Sequence, residues 1–440
     1  MARLLQSLRR LLGGTPGIGP TRHSSQRPRS FDSDFSVFRE GDRIVLHNKQ
    51  PVLTKPLKNG DKTNLRRGHL DHDRVIGGRV WDTVQAHRGP EVRPSLPTLD
   101  EYVALTPRHV TPIYPHDANL IVSLLDLHPN TPAEGTEEPP IEILESGTGH
   151  GSLTLHLARA IHAANTTPPP RPSKSQIQFL EDRKNRPGEE DPEQAEGSQS
   201  SQNTQVEIDT VQEEWNAWRA QRNAVIHTVD VSAKFSKLAE KNVQGFRRGM
   251  YSGDVDFYVG PVENWMAEQK KQRAKTGVLS SLTGQSSVEP FLSHAILDMP
   301  SAQLRIPHVA PMLRRDGFLI VFVPSITQIG DCVRLIRQHH LSLVQEKVVE
   351  LGMGISGGRQ WDVRLATKKS GADPASWSPS AETESDEVSD TTEETTEVPA
   401  NEVPSKEDEM VMVCRPKVGL RTMGGGFVGI WRRIEDLPRR

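Results

Sequence analysis

Glu145-Ser146-Gly147-Thr148-Gly149-His150-Gly151 sets three glycines at alternate positions, between an apolar run at 141–144 and a leucine-rich stretch with helical spacing at 152–164. Glycines so spaced let the backbone turn tightly and leave room for a ligand against it. A helix beginning there presents free N–H groups and the positive end of its dipole. Dinucleotide folds prefer G-x-G-x-x-G. Here the pattern is G-x-G-x-G with an acid two positions before the first glycine, which favours S-adenosylmethionine over NAD. Glu145, Ser146, Gly147, Thr148, Gly149, Gly151, Ser152 and Leu153 are the candidate donor-binding residues; the bland alternative is a glycine-rich turn with no ligand. Asp230 follows the strand-like run 225–229, where an acid holds ribose hydroxyls. It is equally suited to cap a helix starting near Ser232. Asp298 ends the run 295–297, and an acid at the carboxyl end of a central strand lies at the crevice where open α/β sheets bind ligands. A capping role before a turn is its alternative.

These residues need strands that end together and helices that cross between them. Strand-like runs at 141–145, 224–229, 255–259, 294–297 and 317–323 alternate with helical patterns at 117–127, 152–164, 232–243 and 326–340. That alternation predicts an α/β fold with a parallel, doubly wound sheet. Residues 410–413 and 426–431 read as late strands, expected to pair with each other antiparallel. Residues 35–100 read as a separate β-rich module with a strand at 43–46 and a hairpin or bulge across 69–81. Three polar segments interrupt the pattern: 166–214 and 370–410 as disordered insertions, the first with a helical end near Trp215 and Trp218, and 267–290 as a polar loop.

Only 34% of the chain is hydrophobic, thin for 440 packed residues and consistent with a core diluted by such insertions. The overall charge of −3 is misleading. Residues 370–410 carry −12 and 166–214 carry −6, so the remainder is +15. A basic body suits a polyanionic partner. Residues 1–31 hold six Arg and no acid, with leucines at helical spacing, the pattern of a mitochondrial presequence; a basic arm touching nucleic acid is the alternative. No run is long and apolar enough for a membrane span. Cys332 and Cys414 give neither metal-ligand spacing nor a disulfide framework.

Several stretches together resemble the tRNA (adenine-58-N1) methyltransferase family, catalytic subunit type. They are Tyr114-Pro115-His116-Asp117-Ala118, the glycine motif, Leu297-Asp298-Met299, Ile326-Thr327-Gln328, Trp361-Asp362-Val363-Arg364-Leu365 and the late 427–432 segment. The resemblance runs over about 35–433. It implies a small N-terminal β-domain at 35–100 and a Rossmann-like class I methyltransferase domain at 101–433. It implies S-adenosylmethionine as donor and N1 of adenine 58 in the T-loop of tRNA as acceptor. Asp298 becomes the catalytic carboxylate, holding the base at its exocyclic amine as positive charge develops, and it also counts among the donor-binding residues. Val262 and Glu263 fall beside the donor's adenine, and Tyr114, Gln328 and Arg364 become candidate substrate contacts. Three positions depart from the family pattern: His150 stands where Ser is frequent, His116 where Lys is common, and Pro261 where many members carry an acid. The resemblance further implies a homotetramer, or a heterotetramer with a non-catalytic tRNA-binding subunit. The address is mitochondrial by the first 31 residues, with the nucleus as alternative. The competing activity is a methyltransferase of the same fold acting on another RNA or on protein carboxylates.

Overall fold

The computed structural model describes residues 32–47, 51–89, 91–108, 113–131, 139–180, 209–276, 288–352, 361–367, 410–416 and 425–434. The expected presequence and nearly all of the acidic segment lie outside them. The chain divides into a large unit, Met1–Gly352 with Gly424–Arg440, and a small one, Met353–Met423.

The large unit is built on one sheet of eight strands: β1 (Ile141–Ser146), β2 (Gln178–Phe179), β3 (Ala224–Asp230), β4 (Val255–Val259), β5 (Leu292–Leu297), β6 (Leu313–Val323), β7 (Leu343–Glu350) and β8 (Phe427–Arg433). Their spatial order is β7-β8-β6-β5-β1-β3-β4-β2. Neighbours from β6 through β2 run parallel, whereas β8 is antiparallel to both β6 and β7. The order reverses at β1, which lies between β3 and β5, so the crevice of this sheet opens at the carboxyl ends of those three strands. Helices cover both faces: α1 (Leu99–Leu105), α2 (Pro115–Leu124), α3 (Ser152–Ile161), α4 (Thr210–Arg219), α5 (Ala233–Gly245), α6 (Val262–Thr276) and α7 (Ile326–Gln338).

Strands covered on both faces must bury whatever they carry. β3 and β4 are buried at every position, polar residues included. Burial demands partners for those polar groups, and the carboxylates and His227 Nε2 have them. His227 on β3 lies 2.9 Å from the Glu142 carboxylate. Arg222 grips Asp256 through two hydrogen bonds of 3.0 and 2.8 Å. Burial alone would raise the Asp256 carboxyl, but Arg222 and Arg219 outweigh it and hold it well below the usual carboxylate range.

The termini of the helices are chemically marked. Thr98 and Glu101 close a capping box on α1, Pro115 opens α2, and the Ser232 hydroxyl accepts from the Phe235 N–H to cap α5. Residues 35–96 pack around Phe38, Ile44, Leu46, Leu57, Leu70, Val75 and Val92 beside three small antiparallel sheets. The hairpin expected across 69–81 does not form: His69–Asp71 pairs back with Lys62–Asn64, and His72–Arg74 turns as a 3-10 helix.

Three other expectations change. Met410–Pro416 pairs with Trp361–Thr367 as a hairpin within the small unit, while the late strand β8 inserts between β6 and β7 of the main sheet. The two late segments therefore do not pair with each other; β8 carries Val428, Ile430 and Trp431, all buried, and its apolar run belongs to the large core. The amino-terminal part of 166–214 joins the sheet through β2, and Leu180 after it is buried, whereas the helical end expected near Trp215 and Trp218 forms as α4 with Trp215 buried; 181–208 lie outside the described residues. Helix α6 also runs ten residues into 267–290.

Candidate active site

β1 delivers the chain to the crevice and the glycines turn it into α3. Gly147, Gly149 and Gly151 all have positive φ, at 102°, 55° and 86°. Gly147 is fixed more tightly than that torsion alone requires: a Cβ there would stand 1.8 Å from the Asp298 carbonyl oxygen. The turn is stitched to both neighbouring strands, since the Gly147 N–H donates to the Val229 carbonyl at 2.9 Å and the Asp298 N–H to the Ser146 carbonyl at 2.8 Å. Backbone from β1, β3 and β5 thus converges within hydrogen-bonding distance.

Beneath the turn, the Glu145 carboxylate is buried and accepts from Thr154 Oγ1 at 2.6 Å and Thr228 Oγ1 at 2.8 Å. Thr148 Oγ1 sits 2.7 Å from the Thr228 hydroxyl. Burial pushes the Glu145 carboxyl up to about 8 against those two hydrogen bonds, with the charges of Asp298 and Asp230 adding to the rise. Glu145 therefore supports the turn from below. Thr154 and Thr228 were missing from the sequence-derived set. Thr228 could be found only through strand pairing, since it stands in register with Glu145 of β1.

The cap of α5 is Ser232 and not Asp230, whose two carboxylate oxygens are taken up by backbone N–H groups. One carboxylate oxygen accepts from the Gly149 N–H at 3.1 Å, and the other from the Ser232 N–H at 2.8 Å. It ties the glycine turn to the start of α5 from the end of β3, and burial raises its pKa. Asp298 leaves β5 on the opposite side of β1. Among the described residues, no hydrogen bond reaches its carboxylate. Burial, with the Asp230 charge added, pushes it up to about 7. Ser146 Oγ lies 3.2 Å from the sulfur of the adjacent Met299.

The remaining candidates separate. The Ser152 hydroxyl donates to the Ile113 carbonyl at 2.5 Å, and Leu153 is buried in the core, so both anchor α3. His150 is buried, and burial lowers its pKa. Val262 is wholly buried at the start of α6, beyond the end of β4. Glu263 Oε1 pairs with Arg305 at 2.9 Å, while its Oε2 is buried without a hydrogen-bond partner among the described residues. Tyr114 precedes α2, half-buried, with the Arg108 guanidinium 5.0 Å from its ring centre. Gln328 turns back on its own helix: its Oε1 accepts from the Ser325 N–H at 3.2 Å, closing a capping box on α7. Arg364 lies in the small unit, on the strand paired with Met410–Pro416; its side chain is outside the described residues.

The crevice accordingly joins a turn that tolerates no side chain at Gly147 with carboxylates whose pKa values burial raises. Such a lining suits a ligand that is cationic, hydroxyl-rich and pressed against backbone. S-adenosylmethionine has those properties. Gly147, Gly149 and Gly151 would hold it against the backbone, Asp230 would meet its ribose, and the orphaned Glu263 oxygen and Val262 would lie toward its adenine. Among the described residues no cluster of side chains suited to a metal is present, and no helix is long and apolar enough to cross a membrane.

No protein-family model matches the chain. Over 308 residues it is 26% identical to a tRNA (adenine(58)-N(1))-methyltransferase of Thermus thermophilus, covering 70% of this chain and 82% of the relative. Over 135 residues it is 26% identical to the catalytic subunit of the tRNA (adenine(58)-N(1))-methyltransferase of Candida albicans, covering 30% of this chain and 37% of that one. Among solved structures it resembles a SAM-dependent O-methyltransferase of Thermotoga maritima, with a TM-score of 0.50 at 13% identity, over 92% of this chain and 97% of the other.

Proposed function

We propose that this chain, a class I S-adenosylmethionine-dependent methyltransferase related to the tRNA (adenine-58-N1) methyltransferases, methylates N1 of adenine 58 in the T-loop of tRNA. The observation that carries the proposal is Asp298. It stands at the switch point of the sheet, its backbone tied to the glycine turn and its carboxylate free of hydrogen bonds among the described residues. A half-buried carboxylate with no protein partner is open to a hydrogen-bond donor on a ligand, and an adenine amino group is a donor of the required kind.

Bound at the turn, S-adenosylmethionine supplies a methyl group already made electrophilic by its sulfonium. The protein's task is alignment and the exclusion of water. Asp298 accepts a hydrogen bond from the exocyclic amine of the base and so points N1 toward the donor. As the bond forms, positive charge moves onto the base and the ionised carboxylate stabilises it. A base folded into the T-loop must first be extruded. Tyr114, half-buried under Arg108, has a ring suited to stacking on it, and Arg364 keeps the substrate role that the resemblance implies. Gln328 is the weaker candidate, since capping α7 occupies its side chain.

Assembly as a homotetramer, or as a heterotetramer with a non-catalytic tRNA-binding subunit, accompanies this reading, as does delivery to mitochondria by residues 1–31. N1 methylation blocks the pairing edge of adenine, so reverse transcription stops there. Purified chain, donor and an unmodified tRNA transcript should yield a new stop at position 58. Replacing that adenine by guanine in the transcript should remove methyl incorporation. Incorporation that survives the replacement, or that maps to another base or to protein, rejects the assignment. Activity without a second subunit supports self-assembly, and fusion of residues 1–31 to a reporter tests the address.

A further inference from the structure

Trp81 is the most exposed large hydrophobic residue among those described, at 57%. It sits in a turn that ordinarily excludes it. The Asp82 N–H donates to the Arg79 carbonyl at 3.2 Å, closing a four-residue turn with Trp81 in its third place at a φ of 72°. That place favours glycine, and a bulky side chain there is a conformational outlier. The core does not compensate for it, because the ring projects to solvent. It lies flat on the His47 ring instead, at 5.0 Å between centroids and 12° between planes. The platform is held from behind: the Trp81 N–H donates to the Pro94 carbonyl at 3.0 Å, and His47 Nε2 lies 2.6 Å from the Ser95 hydroxyl, in the strand paired with Val45–Leu46.

Exposed arginines flank it. Arg79 opens the turn, and Arg93 donates from Nε to the Thr83 hydroxyl at 3.2 Å. Asp82 and Glu91 are also exposed nearby, yet residues 35–100 carry twelve Lys and Arg against eight acids. An exposed aromatic face with one exposed arginine two residues before it and another bonded to Thr83 two residues after it fits an unpaired nucleobase with its phosphates. We propose that Trp81, backed by His47, is a stacking platform for an unpaired base of the RNA substrate, outside the methyl-transfer crevice. This rests on the proposed function only in taking RNA as the substrate.

The local strain provides a clean variant, because W81G puts into the turn the residue type its torsion favours. W81G should fold with a melting temperature no lower than wild type and bind S-adenosylmethionine unchanged. Its affinity for an unmodified tRNA transcript, measured by anisotropy without donor, should fall roughly 5- to 150-fold, the range for loss of one stacked base. W81F should retain most of the affinity. Equal tRNA affinity in wild type and W81G overturns the proposal, as does a changed oligomeric state of W81G with unchanged RNA affinity, which would make this face a contact between copies of the chain. Trp81-dependent binding with methylation mapped away from position 58 upholds the platform and rejects only the proposed target.

Discussion

Asp298 holds its proton to about pH 7 because burial, and then the charge of Asp230, oppose ionisation. The proposed chemistry uses the ionised form. For the free enzyme, log kcat/KM should therefore climb with a slope near one below pH 7 and level off above it. A cationic donor favours the carboxylate, so the corresponding break in kcat should lie lower. A flat kcat/KM profile between pH 5.5 and 8 contradicts this role. Glu145 offers a stability counterpart. Its folded pKa, about 8, lies above the ordinary carboxylate value of 4.5. The protonated form is thus favoured by folding, and the associated stability is present below pH 4.5 and lost as pH rises toward 8. E145Q keeps an oxygen for Thr154 and Thr228 and has nothing to ionise. Relative to wild type it should become more stable with rising pH, by roughly 2–5 kcal/mol across that window. Denaturant titrations at pH 5 and pH 8.5 measure the difference, and parallel behaviour of the two proteins would refute the assignment.

The glycine turn works because three strands end against it. With the Asp298 carbonyl only 1.8 Å from where a Cβ would stand, G147A must push β1 and β5 apart at their carboxyl ends. The torsion of 102° adds strain for any residue with a side chain. G147A should lose about 3 kcal/mol or more of stability and most of its affinity for S-adenosylmethionine. Calorimetric titration with near-native affinity would show that the turn is not the donor's seat. This turn was legible in the sequence because local spacing encodes it: Glu145 through Gly151 between an apolar run and a helical one. Asp230 and Asp298 were legible for a related reason, as acids at the ends of buried strands. Interactions between distant segments were not. Nothing local distinguishes β8, which enters the main sheet, from Met410–Pro416, which pairs with Trp361–Thr367. β2 was hidden because two residues at a sheet edge are too short for a periodic signal. Gln328 in an Ile-Thr-Gln motif reads as a contact residue until its capping geometry is seen.

Across the large unit, the β-rich module is fastened through one side chain in particular. Arg248 follows Arg247 in the left-handed region, at φ of 57° and 46°. Its guanidinium reaches both oxygens of the buried Asp42 at 2.8 and 2.7 Å, and the carbonyls of Asp32, Asp34 and Val37. R248A leaves a buried carboxylate without its cation, a change that typically costs 3–5 kcal/mol. The loss should fall on the module, which we expect to become protease-sensitive at temperatures where the crevice still binds donor. Limited proteolysis beside donor titration reads both, and simultaneous loss of the two would mean that module and crevice unfold as one. The charge distribution belongs to the same scale. A net −3 hides a remainder of +15 once the two acidic segments are set apart, and +9 without the six arginines of residues 1–31; that body is the part expected to meet RNA.

Single-turnover methyl transfer by D298N, at saturating S-adenosylmethionine and with an unmodified tRNA transcript, tests the central claim most directly. Asp298 is predicted to act on the base and not on the fold or the donor. The transfer rate should fall at least a hundredfold, with donor and tRNA dissociation constants within a few-fold of wild type. Transfer at the wild-type rate would contradict the account, and loss of donor binding would make Asp298 part of the donor's seat.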